Sequence, residues 1–371
     1  MDSSSRIQAA IALERTDRIP VAPWLGLYAA TYTGLSKRDF IFSDKKRHAA
    51  IVTTAVDLGP WDMTYMGENA SELMLLAAPA RVHWPGIELP DDEVHQVEEF
   101  ELLRPDDYAL FERIGLLRFL REVALRQYPA ISVPKGLMKA LSFIRASRAC
   151  ARALRVAGIE PAAGFMHPGP LFEYFSIGRG LGNVCRDLYD RPEALKAVGA
   201  AWAEAMTRLS IHWARTVGVN RVFVALSRSS GSFISPAHFE EFVFPEIEII
   251  ARMLVESNIT PVFHCDTRWT ERLNIFTRLP ARRSIIEFDA ETDMARAASV
   301  LGGHTCIKGN VPAYLTAFGE RSTVLEYCKN LIKIVGNHGG FILSTGCTVP
   351  ANAKIENVRA IFEAAEKWGR G

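Results

Sequence analysis

The chain lacks the features that define several large protein classes. Across 371 residues no run of eighteen apolar residues occurs, so no segment reads as a membrane-spanning helix. Charge of one sign is also missing. The formal net charge is +1, which provides no field for gathering nucleic acid or an anionic membrane surface. The opening MDSSSRIQAAIALERTDRIP has no long apolar core of the signal-peptide kind, and it carries Arg6, Glu14 and Arg15 at helical spacing. The six cysteines (Cys150, Cys185, Cys265, Cys306, Cys328 and Cys347) show no disulfide-framework spacing. Without an export signal they read as reduced thiols, and the expected location is cytoplasmic. No linker, low-complexity tract or short internal repeat divides the chain, so one domain over residues 1–371 is expected.

Hydrophobic residues make up 49% of the sequence, enough for a large buried core. Apolar runs bounded by Gly, Pro or polar residues occur at 19–27, 159–166, 219–226, 259–265, 283–288, 304–311 and 340–346. Helical patterns lie between them at 191–216, 235–256, 267–278, 291–301, 322–336 and 353–368. From residue 219 onward strand and helix alternate without a break, which implies a parallel sheet with right-handed crossovers. The first half is less regular. Residues 105–127 read as one long helix and 135–157 as a second, so a helical elaboration over 105–157 is expected. The second helix carries Lys135, Lys139, Arg145, Arg148, Arg152 and Arg155 and no acidic residue. Such a stripe is either a solvated face or a docking surface for an acidic partner.

Metal-type residues end three of the late strands. ITPVFHCD closes with His264, Cys265 and Asp266; HTCIKGNV carries Cys306; GFILSTGCTVP carries Cys347. About forty residues separate one site from the next, roughly a strand, a helix and their loops. In a parallel β/α architecture that spacing returns the chain to the same sheet edge, where such folds place their chemistry. Thiolate, imidazole and carboxylate meeting there suit Zn²⁺. Positions i and i+2 of a strand face the same way, so His264 and Asp266 both point at one ion while Cys265 points away into packing. Cys347 follows a glycine at a strand end and is a strong thiolate candidate. Cys306 lies inside an apolar strand and reads either as a second thiolate ligand or as a small buried hydrophobe. His264 has an alternative too, as a barrel histidine bonded to a neighbour.

Four stretches carry a resemblance: RIQAAIALERTDRIPV at the start, HPGPLFEYFSIGRGLGNVCRDLYDRPEAL at 167–195, KGNVPAYL at 308–315 and GCTVPANAKIENVRAIFEAA at 346–365. Each resembles the uroporphyrinogen decarboxylase superfamily. The resemblance implies a (β/α)8 TIM barrel with a pocket at the carboxyl ends of its strands. It also implies one of two activities, porphyrinogen decarboxylation or corrinoid-linked methyl transfer. The decarboxylase branch binds a multiply anionic tetrapyrrole through an arginine-rich segment after the first strand. Here APWLGLYAATYTG at 22–34 has no arginine, an electrostatically poor match. The methyltransferase branch has a His-x-Cys strand end and a later Gly-Cys segment. This chain matches with His264 and Cys347, has Asp266 where that pattern has cysteine, and offers Cys306 as a second thiolate.

The chain resembles most nearly the methyl-ether-cleaving methyltransferases of O-demethylase systems. That implies zinc as Lewis acid at the ether oxygen and cobalamin as methyl acceptor. No DxHxxG-type segment for lower-axial cobalamin binding is present, so a separate corrinoid carrier protein is expected, with a small methylated aromatic substrate and a homodimer left open. His264, His167 and Glu173 are the candidate catalytic residues. Trp24, Tyr28, Tyr65, Phe165, Phe172 and Tyr174 are candidates to hold a flat ring, and Glu287 and Asn310 to floor the pocket. Each of these aromatics has core packing as its alternative.

Overall fold

The computed structural model of the chain describes residues 1–67, 78–128, 133–336 and 339–370. Its strands are β1 (Met63–Thr64), β2 (Arg81–His83), β3 (Gln96–Glu98), β4 (Glu160–Pro161), β5 (Phe165–His167), β6 (Arg221–Leu226), β7 (Thr260–Cys265), β8 (Ile285–Phe288), β9 (Cys306–Val311) and β10 (Phe341–Thr345). Strands β5 to β10 form one parallel ladder in chain order. β4 continues into β5 as a single stave that changes partners on the way. Its first half pairs in parallel with β1 and its second half with β6. The extended segment 20–24 closes the ring. It bridges β10 at Val21–Leu343, and Asp62 N donates to the Val21 carbonyl on its other side. Eight staves thus close on themselves, and the fold is a (β/α)8 barrel.

The alternation expected from residue 219 onward is present, with helices Phe244–Glu256, Met294–Leu301 and Arg321–Val335 between the staves and Ile355–Trp368 after the last. Local chemistry sets their ends. Pro192 opens the helix Pro192–Val217, and Gly218 at φ 82° closes it through bonds to the Ala214 and Arg215 carbonyls. Asp293 caps Met294–Leu301 by accepting from the Ala295 and Arg296 amides. Three helices differ from the sequence expectation. The run 105–127 breaks at Gly115, φ 72°, into Asp107–Ile114 and Leu116–Gln127. The run 235–256 contains a π turn at Phe239–Val243, just before Pro245, which has no N–H to continue the regular ladder. Residues Thr270–Arg278 wind as a 3₁₀ helix.

The basic helix, Val133–Val156, packs against Asp44–Leu58 and Pro192–Val217. It therefore holds the place of the crossover helix between β1 and β4. The elaboration consists of the antiparallel β2–β3 hairpin and the two helices on either side of Gly115. No helix among the described residues is long and apolar enough to cross a membrane.

The N-terminal helix Ser3–Ile11 floors the barrel. Its Ile7, Ala10 and Ile11 pack with Met63, Val262, Ile285, Cys306 and Ile342, residues near the amino ends of the staves. Asp62 clasps this floor. Its carboxylate is fully buried and accepts from Arg6, from Arg18 at 2.6 Å and from the Val21 amide at 2.8 Å. Removing it takes the buried carboxylate from two nearly buried guanidinium groups, leaving Arg6 with Asp17 and the Met1 carbonyl and Arg18 with only the Ile19 and Pro60 carbonyls. Asp62→Ala is therefore expected to lower unfolding stability by about 3–5 kcal/mol, read from urea denaturation. A loss below about 1 kcal/mol would mean that the floor does not depend on this clasp.

Candidate functional site

The staves bring His264, Asp266 and Cys347 together at their carboxyl ends. One donor atom from each lies within 4.8 Å of the others. His264 is the penultimate residue of β7 and Asp266 follows the strand, so the two side chains share a face, with Nε2 of His264 3.0 Å from Oδ1 of Asp266. Cys347 comes two residues after β10, across Gly346. A Cβ on Gly346 would lie 2.7 Å from the Asp289 Cα, so only glycine lets the chain pass there. Cys265 points outward into the core between sheet and helices and is fully buried.

His264 is held from several sides. Its ring lies edge-on to Trp24 at 5.5 Å and tilted against Phe223 at 5.1 Å. Its Nδ1 lies 3.5 Å from Oε2 of Glu287, at ion-pair distance. Burial works against protonation of this imidazole, but Asp266, Cys347 and Glu287 together outweigh it and hold its pKa well above the ordinary value. Asp266 is raised by burial, then lowered further by His264 and Ser227, and ends below the usual carboxylate range.

Glu287 sits level with His264 on one side and Lys308 on the other in the strand register. All three point into the barrel. Lys308 donates to Glu287 Oε1, and the Tyr65 hydroxyl donates to Oε2 at 2.7 Å. Lys308 and Glu287 are fully buried. Burial raises the Glu287 pKa, but Lys308 and His264 overcome it and keep the group ionised.

The donor set fits zinc. Imidazole, carboxylate and thiolate are its usual ligand classes, and three protein donors leave one tetrahedral position open. Bonds of about 2.0–2.3 Å put tetrahedral ligands roughly 3.3–3.8 Å apart, within a small side-chain adjustment of the observed spread. Nε2 of His264 and the Asp266 and Cys347 side chains would hold the ion. Glu287 behind Nδ1 would fix the ring, as carboxylates do behind metal-bound histidines.

The trio lies in the wall of a cavity of about 390 Å³. Trp24, Tyr65, Phe165 and Phe223 line it, so three of the aromatics expected to face a ring do so, and Phe223 joins them. Several expected residues lie elsewhere. Cys306 opens β9 in the apolar floor, roughly 6–7 Å toward the amino end from Lys308, and is not in the trio; burial pushes its thiol pKa far up. Tyr28 is buried beside Tyr32 on the helix Tyr28–Thr33. Phe172 and Tyr174 belong to the helix Leu171–Gly178, whose buried face turns to the outer core, with Tyr174 4.6 Å from the Trp202 ring. The Asn310 amide donates to the Asp289 and Thr292 carbonyls and accepts from Tyr327, a scaffold role.

Glu173 and His167 are also committed to the scaffold. Both Glu173 oxygens accept from the Arg228 amide, and Oε1 also accepts from the amide and hydroxyl of Ser229, which pins the loop after β6. Burial raises the Glu173 pKa to about 7 against those donors. His167 lines the cavity, but its Nδ1 accepts from the Gly169 amide at 2.9 Å. Nε2 therefore carries the proton and donates to Thr207 Oγ1 at 3.2 Å. Lys308, beside His264 and Glu287, is one of the residues the sequence reading missed. Its signal was a lone lysine in an apolar strand, on the inward face shared with Cys306.

Comparison with known proteins follows the same lines. A family model described as uroporphyrinogen decarboxylase (URO-D) matches residues 101–368. The chloroplastic uroporphyrinogen decarboxylase of Zea mays is 29% identical over 135 residues, covering 36% of this chain and 33% of that protein. The uroporphyrinogen decarboxylase of Trichodesmium erythraeum (strain IMS101) is 24% identical over 191 residues, covering 50% of this chain and 51% of that protein. The chain thus spans about half the length, or less, of these curated relatives. A methyltransferase from Methanosarcina mazei shares the fold, with a TM-score of 0.75 over 99% of both chains at 15% identity.

The placement of His167 has a consequence for acid stability. Burial lowers its pKa from 6.5 to about 3. Between these values the unfolded chain binds a proton that the folded chain does not, so this contribution is present above pH 6.5 and is lost as pH falls toward 3. His167→Gln keeps an acceptor for Gly169 and a donor for Thr207. Between pH 6.5 and 5 the variant should lose about 1–2 kcal/mol less stability than wild type in urea melts. Parallel slopes in the two proteins would refute the burial of a neutral imidazole here.

Proposed function

The chain belongs to the uroporphyrinogen decarboxylase family, and within it we propose that this protein is a zinc-assisted methyltransferase. It takes the methyl group of an aromatic methyl ether and passes it to cob(I)alamin on a separate corrinoid protein. The observation that carries this reading is the convergence of His264, Asp266 and Cys347 in the wall of an aromatic cavity. No lysine or arginine occurs among the described residues lining that cavity. A multiply anionic porphyrinogen would find no counter-charge on those walls, which speaks against the decarboxylase alternative. A volume of about 390 Å³ suits a single substituted ring.

A zinc ion held by the trio would supply Lewis acidity at the ether oxygen, where phenolate departure is otherwise the main barrier. The chain's own residues prepare the place. Glu287, ion-paired with Lys308 and bonded by Tyr65, faces Nδ1 and leaves Nε2 of His264 for the metal. Ser227 steadies Asp266. Trp24, Tyr65 and Phe223 keep water from the reacting end and offer faces to a flat substrate.

The purified protein should contain one zinc per chain, and Cys347→Ser should lose most of it, since removing one of three ligands takes away much of the site's binding free energy. Full zinc retention in that variant would sink the ligand assignment. With methoxyarene and cob(I)alamin, the corrinoid spectrum should convert to that of methylcobalamin only when the protein is present. His264→Ala should slow the conversion by roughly a hundredfold or more, with the fold intact by circular dichroism. If no methoxyarene reacts and a small thiol is instead methylated from methylcobalamin, the direction of transfer is the reverse of that proposed.

A further inference from the structure

The cavity is not confined to the barrel. Among the described residues, β1 and the β4–β5 stave pair only at Met63–Thr64 with Glu160–Pro161, after which the stave turns to β6. Past that pairing, Gly67 on one side and Ala163 and Gly164 on the other line the cavity. Its walls then continue into the outer helical layer. His48 comes from Asp44–Leu58, Phe143 and Ser147 from Val133–Val156, and Trp213 from Pro192–Val217. Phe165 and Phe143 flank the Trp213 ring at 5.4 and 6.0 Å, which gives this outer chamber aromatic walls.

The polar groups among the described residues of the chamber are neutral. His48 bonds the Ala146 backbone, and burial lowers its pKa to about 4, so its other ring nitrogen is a bare acceptor. Ser147 makes no hydrogen bond to the described residues, which leaves a hydroxyl able to donate and accept. Arg47 adjoins His48 and its charge adds to the lowering of the His48 pKa, but its guanidinium donates to Asp44 and to the Phe40 and Ile41 carbonyls and is not among the described lining residues. A carboxylate entering the chamber would meet no cation among the described lining residues and would face an acceptor nitrogen, with only the neutral Ser147 hydroxyl and the unpartnered Trp213 indole N–H to bond it, whereas a hydroxyl could also donate to His48.

We propose that this outer chamber, between His48, Ser147 and Trp213, recognises the end of the substrate remote from the reacting methyl group and selects a ring bearing an uncharged hydroxyl over one bearing a carboxylate. The inference rests on the methyl-ether reading and narrows the donor to neutral methoxyphenols. Site groups that bond a substrate hydroxyl discriminate strongly against analogues that cannot return the bond.

The test compares the 2-, 3- and 4-methoxyphenols with the corresponding methoxybenzoates, using the full chain. Binding is read by calorimetry without any corrinoid, and kcat/KM is read with it. The best phenol should bind about a hundredfold tighter than its benzoate, with a similar ratio in kcat/KM. His48→Phe should shrink that ratio to within about fivefold. His48→Gln, which restores a neutral acceptor, should recover most of it and covers the case in which the phenylalanine variant does not fold. Equal affinities, tighter benzoates, or a ratio unmoved in a folded His48→Phe protein would overturn the proposal. Absence of methyl transfer from every methoxyarene would sink the catalytic reading, and the binding ratio would still decide the chamber. Equal turnover of phenols and benzoates would sink the chamber and leave the catalytic reading standing.

Discussion

The ion pair between Lys308 and Glu287, sealed inside the barrel, is the constraint around which the upper half of the interior is arranged. Two charges out of water carry a large desolvation cost, and their mutual attraction offsets it only when the remaining bonding capacity is also used. Here it is. Tyr65 donates to the second carboxylate oxygen, His264 faces the same oxygen, and the Lys308 ammonium lies 5.1 Å from the Tyr65 ring centre. Four residues from three adjacent strands and the end of β1 are thereby fixed at one level. An apolar filling would pack this space as well or better. What the polar filling provides is a histidine whose orientation is decided by the scaffold and not by solvent.

That arrangement divides the barrel interior in two. Toward the amino ends of the staves the filling is Ile7, Ala10, Met63, Val262, Ile285, Cys306 and Ile342, an apolar floor. Toward the carboxyl ends, charged and metal-type side chains face an aromatic cavity. The difference between Cys306 and Cys347 follows from this division. Both are cysteines near a barrel strand, but one begins a stave and the other comes after the end of one. A thiol in the floor is a small hydrophobe, and a thiol past a strand end is available for chemistry.

The sequence was most readable where a periodic pattern and a strand end coincided. The alternation after residue 219 and the His264, Asp266 and Cys347 placement followed directly from spacing, because a closed parallel barrel allows few routes back to the same rim. Aromatics near turns were less readable. Phe172 and Tyr174 stand beside the same turn as His167, yet the helix they enter directs them into the outer core, and no local pattern separates a ring that lines a cavity from one that packs beneath it. His48, Ser147 and Trp213 were not found at all. Each lies on a different helix, and only the parting of two staves joins them to the barrel interior. Gly115 could have been read as a helix break, since glycine's freedom at positive φ is its usual reason to stand between two helical runs.

The closure of the ring has a bearing on how the molecule acquires its shape. The Ser344 hydroxyl bonds the Ala22 carbonyl across 322 residues of chain, and Leu343 bonds the segment before it. Segment 20–24 therefore has only one of its two neighbouring staves until a partner 322 residues further on has been made. During synthesis an incomplete sheet with two open edges must wait, and its apolar floor stays exposed for that interval. Such distant contacts slow folding, because much chain entropy is lost before they can form. The floor helix and the Asp62 clasp, by contrast, are assembled from the first sixty-odd residues. They give the growing chain an early local nucleus that holds the first stave in place for a partner made last.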